Sequence, residues 1–281
     1  MLGSFLIFFR ESLEASLICS IMLAYLNRVG RRDRFRDVLY GVAAAVIVAG
    51  AAGVAVFMTV RIYAGSTLQT VIESITYVAA AAMLSYMTIW MKRQSRELHR
   101  HLEQRMDAAL SAGAGVTLGL IAFLTVGREG LETVIFMLAI AYHANPGMLV
   151  AGAAAGALCG LSLSYIIYVA GRRINLKHFF NVMGALLMLF SAGLLANAVE
   201  DWQGLGWLPF ASRPLWNTTV LLNENGTLGD IMHSFFGYAD SPSVLQVSIY
   251  ILYLAIMMAV YLRTGRSPGS SGRRAVNDVK S

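Results

Sequence analysis

The chain has little of what a soluble enzyme or a disulfide scaffold is built from. Of its 281 residues only 14% are charged, two are cysteine and five are proline. Cys19 and Cys159 both fall inside apolar runs, so they read as small buried side chains and not as a disulfide or a thiolate metal site. The five histidines (His99, His101, His143, His178 and His233) all lie in or beside connecting segments. The short alternating segments of a membrane barrel are missing. The amino terminus lacks the basic region of a cleaved signal peptide, and charges interrupt its apolar stretch. No connecting segment is long enough for a signalling domain.

What is abundant is apolar sequence: 57% of residues, with mean hydropathy +0.61. Runs of about 20 apolar residues cross a hydrocarbon core of about 30 Å. Seven are expected, at 3–26, 38–60, 68–91, 112–142, 148–170, 178–199 and 246–263. The fourth is long, which a tilt or a first turn in the interface accommodates.

A sequence pI near 9.5 invites a nucleic-acid reading, but the basic residues occur in short clusters between apolar runs, which is a topology signal. Segments 27–37, 92–111 and 171–177 and the tail from Arg263 hold 18 of the 22 Lys and Arg, while the alternate segments hold Arg61 and Arg213. The excess of positive charge on the inner side places the amino terminus outside and the carboxyl terminus in the cytoplasm. No nucleic-acid partner is expected. The basic stretch from Lys92 to Arg105 suits anionic lipid headgroups.

The two remaining arginines sit within the spans. Arg10-Glu11-Ser12-Leu13-Glu14 and Arg128-Glu129-Gly130-Leu131-Glu132 are one phrase, RExLE, written twice. An ionised side chain at mid-membrane costs about 2.5–3.5 kcal/mol even on lenient scales. Residues three apart on a helix share a face, so each motif aims two carboxylates in one direction, and Arg10–Glu14 and Arg128–Glu132 can pair at i, i+4. Spans 1–3 and 4–6 each begin with a motif helix. Three spans per unit reverse the second unit, the inverted-repeat layout of many transporters, whose sites lie at the midplane. The seventh span lies outside the repeat.

Glu11, Glu14, Glu129 and Glu132 therefore form a hard-oxygen cation site in two halves, with Arg10 and Arg128 balancing charge. Carboxylates gathered in low dielectric repel, and a multivalent cation relieves that repulsion. One arginine against two glutamates in each motif sums to the charge of one divalent ion. Glu73, near the outer end of span 3, is the auxiliary ligand that a trivalent ion asks for. Oxygen ligands suit iron, manganese, magnesium or calcium without choosing among them. The bland alternative is an intramembrane ion-pair lock, but a lock needs one carboxylate per arginine. A carboxylate metalloenzyme typically needs Glu-x-x-His, and no motif contains it. A membrane metal sensor is the third reading.

The segment 200–245 is expected outside. Glu200, Asp201, Asp230 and His233 are candidates for external cation capture, each against an ordinary role at a helix end or loop. The resulting organisation is a permease domain, 1–263, with repeats at about 1–91 and 112–199, an external segment, a seventh helix, and a basic Gly/Ser-rich tail, 264–281.

The paired motifs, with Trp90-Met91-Lys92-Arg93 at the end of span 3, Ile174-Asn175-Leu176 before span 6 and Phe236-Gly237-Tyr238 before span 7, resemble the oxidase-dependent iron transporter family. The likeness is greatest to its bacterial iron-permease branch. The resemblance implies seven helices and iron import as Fe2+, Fe3+ or both across the bacterial inner membrane. It carries the ligand role to Glu11, Glu14, Glu129 and Glu132, with Arg10 and Arg128 as their arginines. It implies iron as transported substrate, with no permanently bound cofactor and no enzymatic activity. It also implies a periplasmic iron-binding or cupredoxin-like protein and a haem peroxidase as partners. Lead-transporting relatives keep Pb2+ open beside Mn2+.

Overall fold

The computed structural model describes residues 2–62, 65–94, 104, 106, 108, 115–142, 146–170, 176–219, 229, 232–233 and 237–264. Seven α-helices account for most of them: α1 Leu2–Arg28, α2 Phe35–Ile62, α3 Thr67–Gln94, α4 Gly115–Ala141, α5 Pro146–Ala170, α6 Leu176–Gly204 and α7 Val244–Thr264. Each coincides with one expected span to within a few residues. The exception is α6, which runs on through Glu200 and Asp201 to Gly204, so these acids lie on the last helical turns. Among the described residues there is no strand, only one antiparallel bridge between Pro214 and Ser243. The proposed tail beyond Thr264 lies outside the described residues.

Five helices are long and apolar enough to cross a membrane by length and composition. The two that fall short are α1 and α4, and the cause is the RExLE charges: every 18-residue stretch of either helix holds at least three ionisable residues. The chain is a helical, multi-pass membrane protein.

Helices pair in a definite way. α1 packs along α5, α2 along α4, and α3 along α6; α1 and α4 meet each other, and α7 lies mainly on α6. Lipid is as apolar as leucine, so close backbone approach rather than the hydrophobic effect drives such pairing. Small residues permit it here. A Cβ at Gly156 or Gly160 of α5 would collide with the α1 backbone at Phe5 or Phe9, and one at Gly41 of α2 with Gly119 of α4. The burial pattern follows: 72% of the most apolar stretch of α6 is buried but only 11% in α2 and α7, which leaves those two as outer helices with broad lipid-facing sides.

Two apolar clusters flank the motifs along the bundle. One joins Ile7 with Tyr77, Leu84, Phe136, Phe190 and Leu194, drawing on α1, α3, α4 and α6. The other joins Ile18, Met22 and Leu26 with Val38, Leu118 and Ala122. The chain then closes on itself between α6 and α7: Leu215 N–H donates to Pro242 O (2.9 Å) and Thr218 N–H to Asp240 O (2.8 Å). Gly237 has φ +63, and a Cβ there would strike Gly193 of α6, so only glycine fits this crossing. A Ser243/Gln246 capping box starts α7. The side-chain amide of Gln246 then donates to Glu200 (2.8 Å), tying α7 to the end of α6.

Candidate cation site

Both motifs are helical through their whole length, so their spacing acts as the helix geometry demands. In α1 the Arg10 guanidinium donates through Nη1 to Glu11 Oε1 (2.6 Å), and its Nε lies 2.9 Å from Glu14 Oε1. The second contact is an ion pair without hydrogen-bond alignment. In α4 Arg128 Nε donates to Glu132 Oε1 (2.8 Å). Arg128 also donates through Nη2 to Met87 Sδ (3.1 Å), and its guanidinium sits 5.1 Å above the Trp90 ring, both on α3.

The crossing of α1 and α4 brings the motifs together. Glu11, Glu129 and Glu132 are all buried, and each offers a carboxylate oxygen within 4.8 Å of the other two. One oxygen of each, the Oε2 atom, has no hydrogen-bond partner. A buried acceptor left unsatisfied costs about 1–3 kcal/mol and more when charged, so three gathered carboxylates that each keep one such oxygen suit a hard cation. Glu14 stands at the edge, nearly buried and held by Arg10. The x position of each motif faces a neighbouring helix: Ser12 abuts Gly160 of α5, and Gly130 abuts Ala49 of α2.

The other candidates fall elsewhere. Glu73 is buried on the first half of α3 and accepts from Tyr77 Oη (2.6 Å); it is not in the three-carboxylate group. Glu200 is exposed and accepts from Gln246. Asp201 is half-buried on the last turns of α6. His233 is buried, with Nδ1 2.9 Å from Tyr238 O, which occupies that nitrogen structurally. Asp230 lies outside the described residues. Sequence reasoning passed over Met87 and Trp90 as neighbours of Arg128, and no sequence signal pointed to Met87. The signal for the close α1–α5 pairing was present, in the spacing Gly152-xxx-Gly156-xxx-Gly160.

A helical multi-pass protein with a carboxylate cluster at the crossing of two charged helices is of the cation-transporter class. Residues 1–265 match the Iron permease FTR1 family, and the chain belongs to that family. It is 33% identical to the ferrous iron permease EfeU of Yersinia pestis over 282 residues, covering 99% of each chain. It is 32% identical to the ferrous iron permease EfeU of Shigella sonnei over 279 residues, 98% of this chain and all of that one. No solved structure matches. The protein is an iron permease, a transporter and not an enzyme, and iron is its substrate rather than a cofactor.

Proposed function

We propose that the chain imports ferrous iron through a site at the α1–α4 crossing, with Glu11, Glu129 and Glu132 as its ligands and Glu14 as a fourth carboxylate. The observation that carries this is the group of three buried carboxylates, contributed by both motifs, that come within 4.8 Å of one another and each keep one oxygen without a hydrogen-bond partner. Arg10 and Arg128 lower the site to the charge of one divalent ion. That balance favours Fe2+ over Fe3+, and it agrees with the ferrous iron that the names of the Yersinia and Shigella relatives specify. Mn2+ and Pb2+ remain competitors for the same oxygen set.

The inverted repeat is part of the proposal. Exchanging α1 with α4, α2 with α5 and α3 with α6 maps the pair α1·α5 onto α4·α2 and leaves α3·α6 and α1·α4 unchanged. These are the strongest pairings outside α7, which supports a pseudo-two-fold axis through the motifs. Seven spans then place the amino terminus outside and the carboxyl terminus in the cytoplasm of a bacterial inner membrane. Residues 1–263 form the permease domain, and the segment 200–245 faces the periplasmic partner proteins. Glu73 and Asp201 lie near the outer ends of their helices and serve ion entry.

Uptake of radioactive iron into proteoliposomes holding this protein alone tests the reading. Ferrous iron under reductant is expected to enter, chelated ferric iron is not, and Glu129→Gln is expected to abolish entry. Ferrous uptake that survives in both Glu129→Gln and Glu132→Gln refutes the site.

A further inference from the structure

The register of the two motifs pairs residues of α1 and α4 that are identical in sequence: Leu2 with Leu120, Leu6 with Leu124, Arg10 with Arg128, and Leu13 with Leu131. Leu2 and Leu120 are similarly exposed, at 43% and 51%, but the other three pairs differ sharply. Leu13 is 1% exposed and Leu131 52%; the Arg10 side chain is 2% exposed and that of Arg128 44%. Leu6 packs against the apolar cluster around Ile7 and Tyr77, whereas Leu124 is 60% exposed. Equal residues in unequal surroundings mark a break in the two-fold symmetry at the site itself.

Arg128 is the middle residue of the 27 in α4. At 1.5 Å per residue it lies about 20 Å from either end, too far for its guanidinium to reach a headgroup. An exposed guanidinium at that depth calls for water rather than hydrocarbon. The exposed positions Leu120, Leu124, Arg128 and Leu131 follow one face of α4, whose midpoint, Arg128, meets α3 at Met87 and Trp90. On the opposite side of the site the equivalent face of α1 is covered from Leu6 inward: Leu6 packs on the cluster of Ile7, Tyr77, Phe136 and Leu194, and Arg10 and Leu13 are buried.

We infer that the iron ion leaves the site through a water-filled cleft between α3 and the amino-terminal half of α4, past Arg128, with Trp90 as the positioning residue that holds the free end of the guanidinium against α3 while its Nε stays on Glu132. The inference rests on the inverted-repeat and orientation reading above, which makes this the cytoplasmic side. The structure is then an inward-open state. The leucines of the cleft are apolar because they pack in the opposite state as Leu6 and Leu13 pack in this one. Arg128 keeps its Nε bond to Glu132, and when the rest of its guanidinium leaves Met87 and Trp90 the cleft closes. Trp90 therefore governs release and not ion affinity.

The test uses the full chain with Cys19→Ser and Cys159→Ser, to which Leu124→Cys, Leu6→Cys or Val46→Cys is added. Val46 is an exposed residue on the lipid-facing side of α2. A permanently charged methanethiosulfonate reagent attacks thiolates, and thiolates form in water and not in lipid. In inside-out vesicles Leu124→Cys is expected to react at least about tenfold faster than Val46→Cys or Leu6→Cys. Leu120→Cys stands in if Leu124→Cys does not insert. A rate at Leu124→Cys equal to that at Val46→Cys means lipid fills the cleft and overturns the inference, as does equal reaction at Leu6→Cys. Iron binding by equilibrium dialysis reads the carboxylate site separately, so loss of the cleft and loss of the site are distinguishable. Trp90→Ala is expected to slow uptake about threefold or more with binding unchanged, and Trp90→Phe to keep most of it. Equal uptake in the two variants removes Trp90 from the role.

Discussion

Tyr77 Oη donates a 2.6 Å hydrogen bond to Glu73 Oε1 one helical turn away on α3, and both residues are buried. The bond holds the Glu73 carboxylate in the first half of α3. Arg128 meets the same helix some 14 residues farther on, at Met87. Tyr77→Phe removes this donor from the buried Glu73 carboxylate, at a cost of about 1–3 kcal/mol. The expected outcome is a lower melting temperature in detergent with iron binding retained. An unchanged melting curve shows that Glu73 finds another donor.

Glu11→Gln, Glu129→Gln and Glu132→Gln keep side-chain shape and remove one charge from the three-carboxylate group. Each is expected to insert normally and to lose iron uptake almost completely. Glu73→Gln is expected to lower uptake while leaving iron binding at the motifs measurable by dialysis. A Glu73→Gln variant that no longer binds iron places Glu73 in the main site.

The two arginines differ in what they hold. Arg10 is 2% exposed and pairs with two glutamates, Glu11 buried and Glu14 nearly so, while Arg128 is 44% exposed and hydrogen-bonds one. Removing one partner of a buried ion pair costs about 3–5 kcal/mol, and partial exposure reduces that cost. Arg10→Ala is expected to fail in expression or to lose most of its thermal stability. Arg128→Ala is expected to express at a reduced level and to transport poorly. The reverse order, read by fluorescence-detected size exclusion, contradicts the exposure difference.

Gly156 and Gly160 let α1 and α5 touch backbone to backbone. Gly160→Val is expected to push the helices apart and destabilise the protein by about 1–3 kcal/mol. It also shifts Ser12, and with it Glu11, so iron affinity is expected to fall. Gly50→Ala on α2 meets nothing within 4 Å and serves as the control. It is expected to be neutral or slightly stabilising, since alanine favours helix over glycine.

The sequence by itself determined the seven helices, because runs of apolar residues bounded by basic clusters admit no other structure in a bilayer. It also determined the in-helix geometry of RExLE, since a fixed 3.6-residue turn places Arg10 beside Glu14 and Arg128 beside Glu132 whatever surrounds them. Only the tertiary structure decided which carboxylates meet: Glu11 joins Glu129 and Glu132, while Glu14 stays with Arg10. It also decided that α1 pairs with α5 and α2 with α4, and that Arg128 lies on Trp90. The reason is that contacts between helices distant in sequence depend on packing at glycine and alanine crossings. The inequality of the two motifs was beyond the sequence altogether, because identical residues acquire different exposure only from what packs around them.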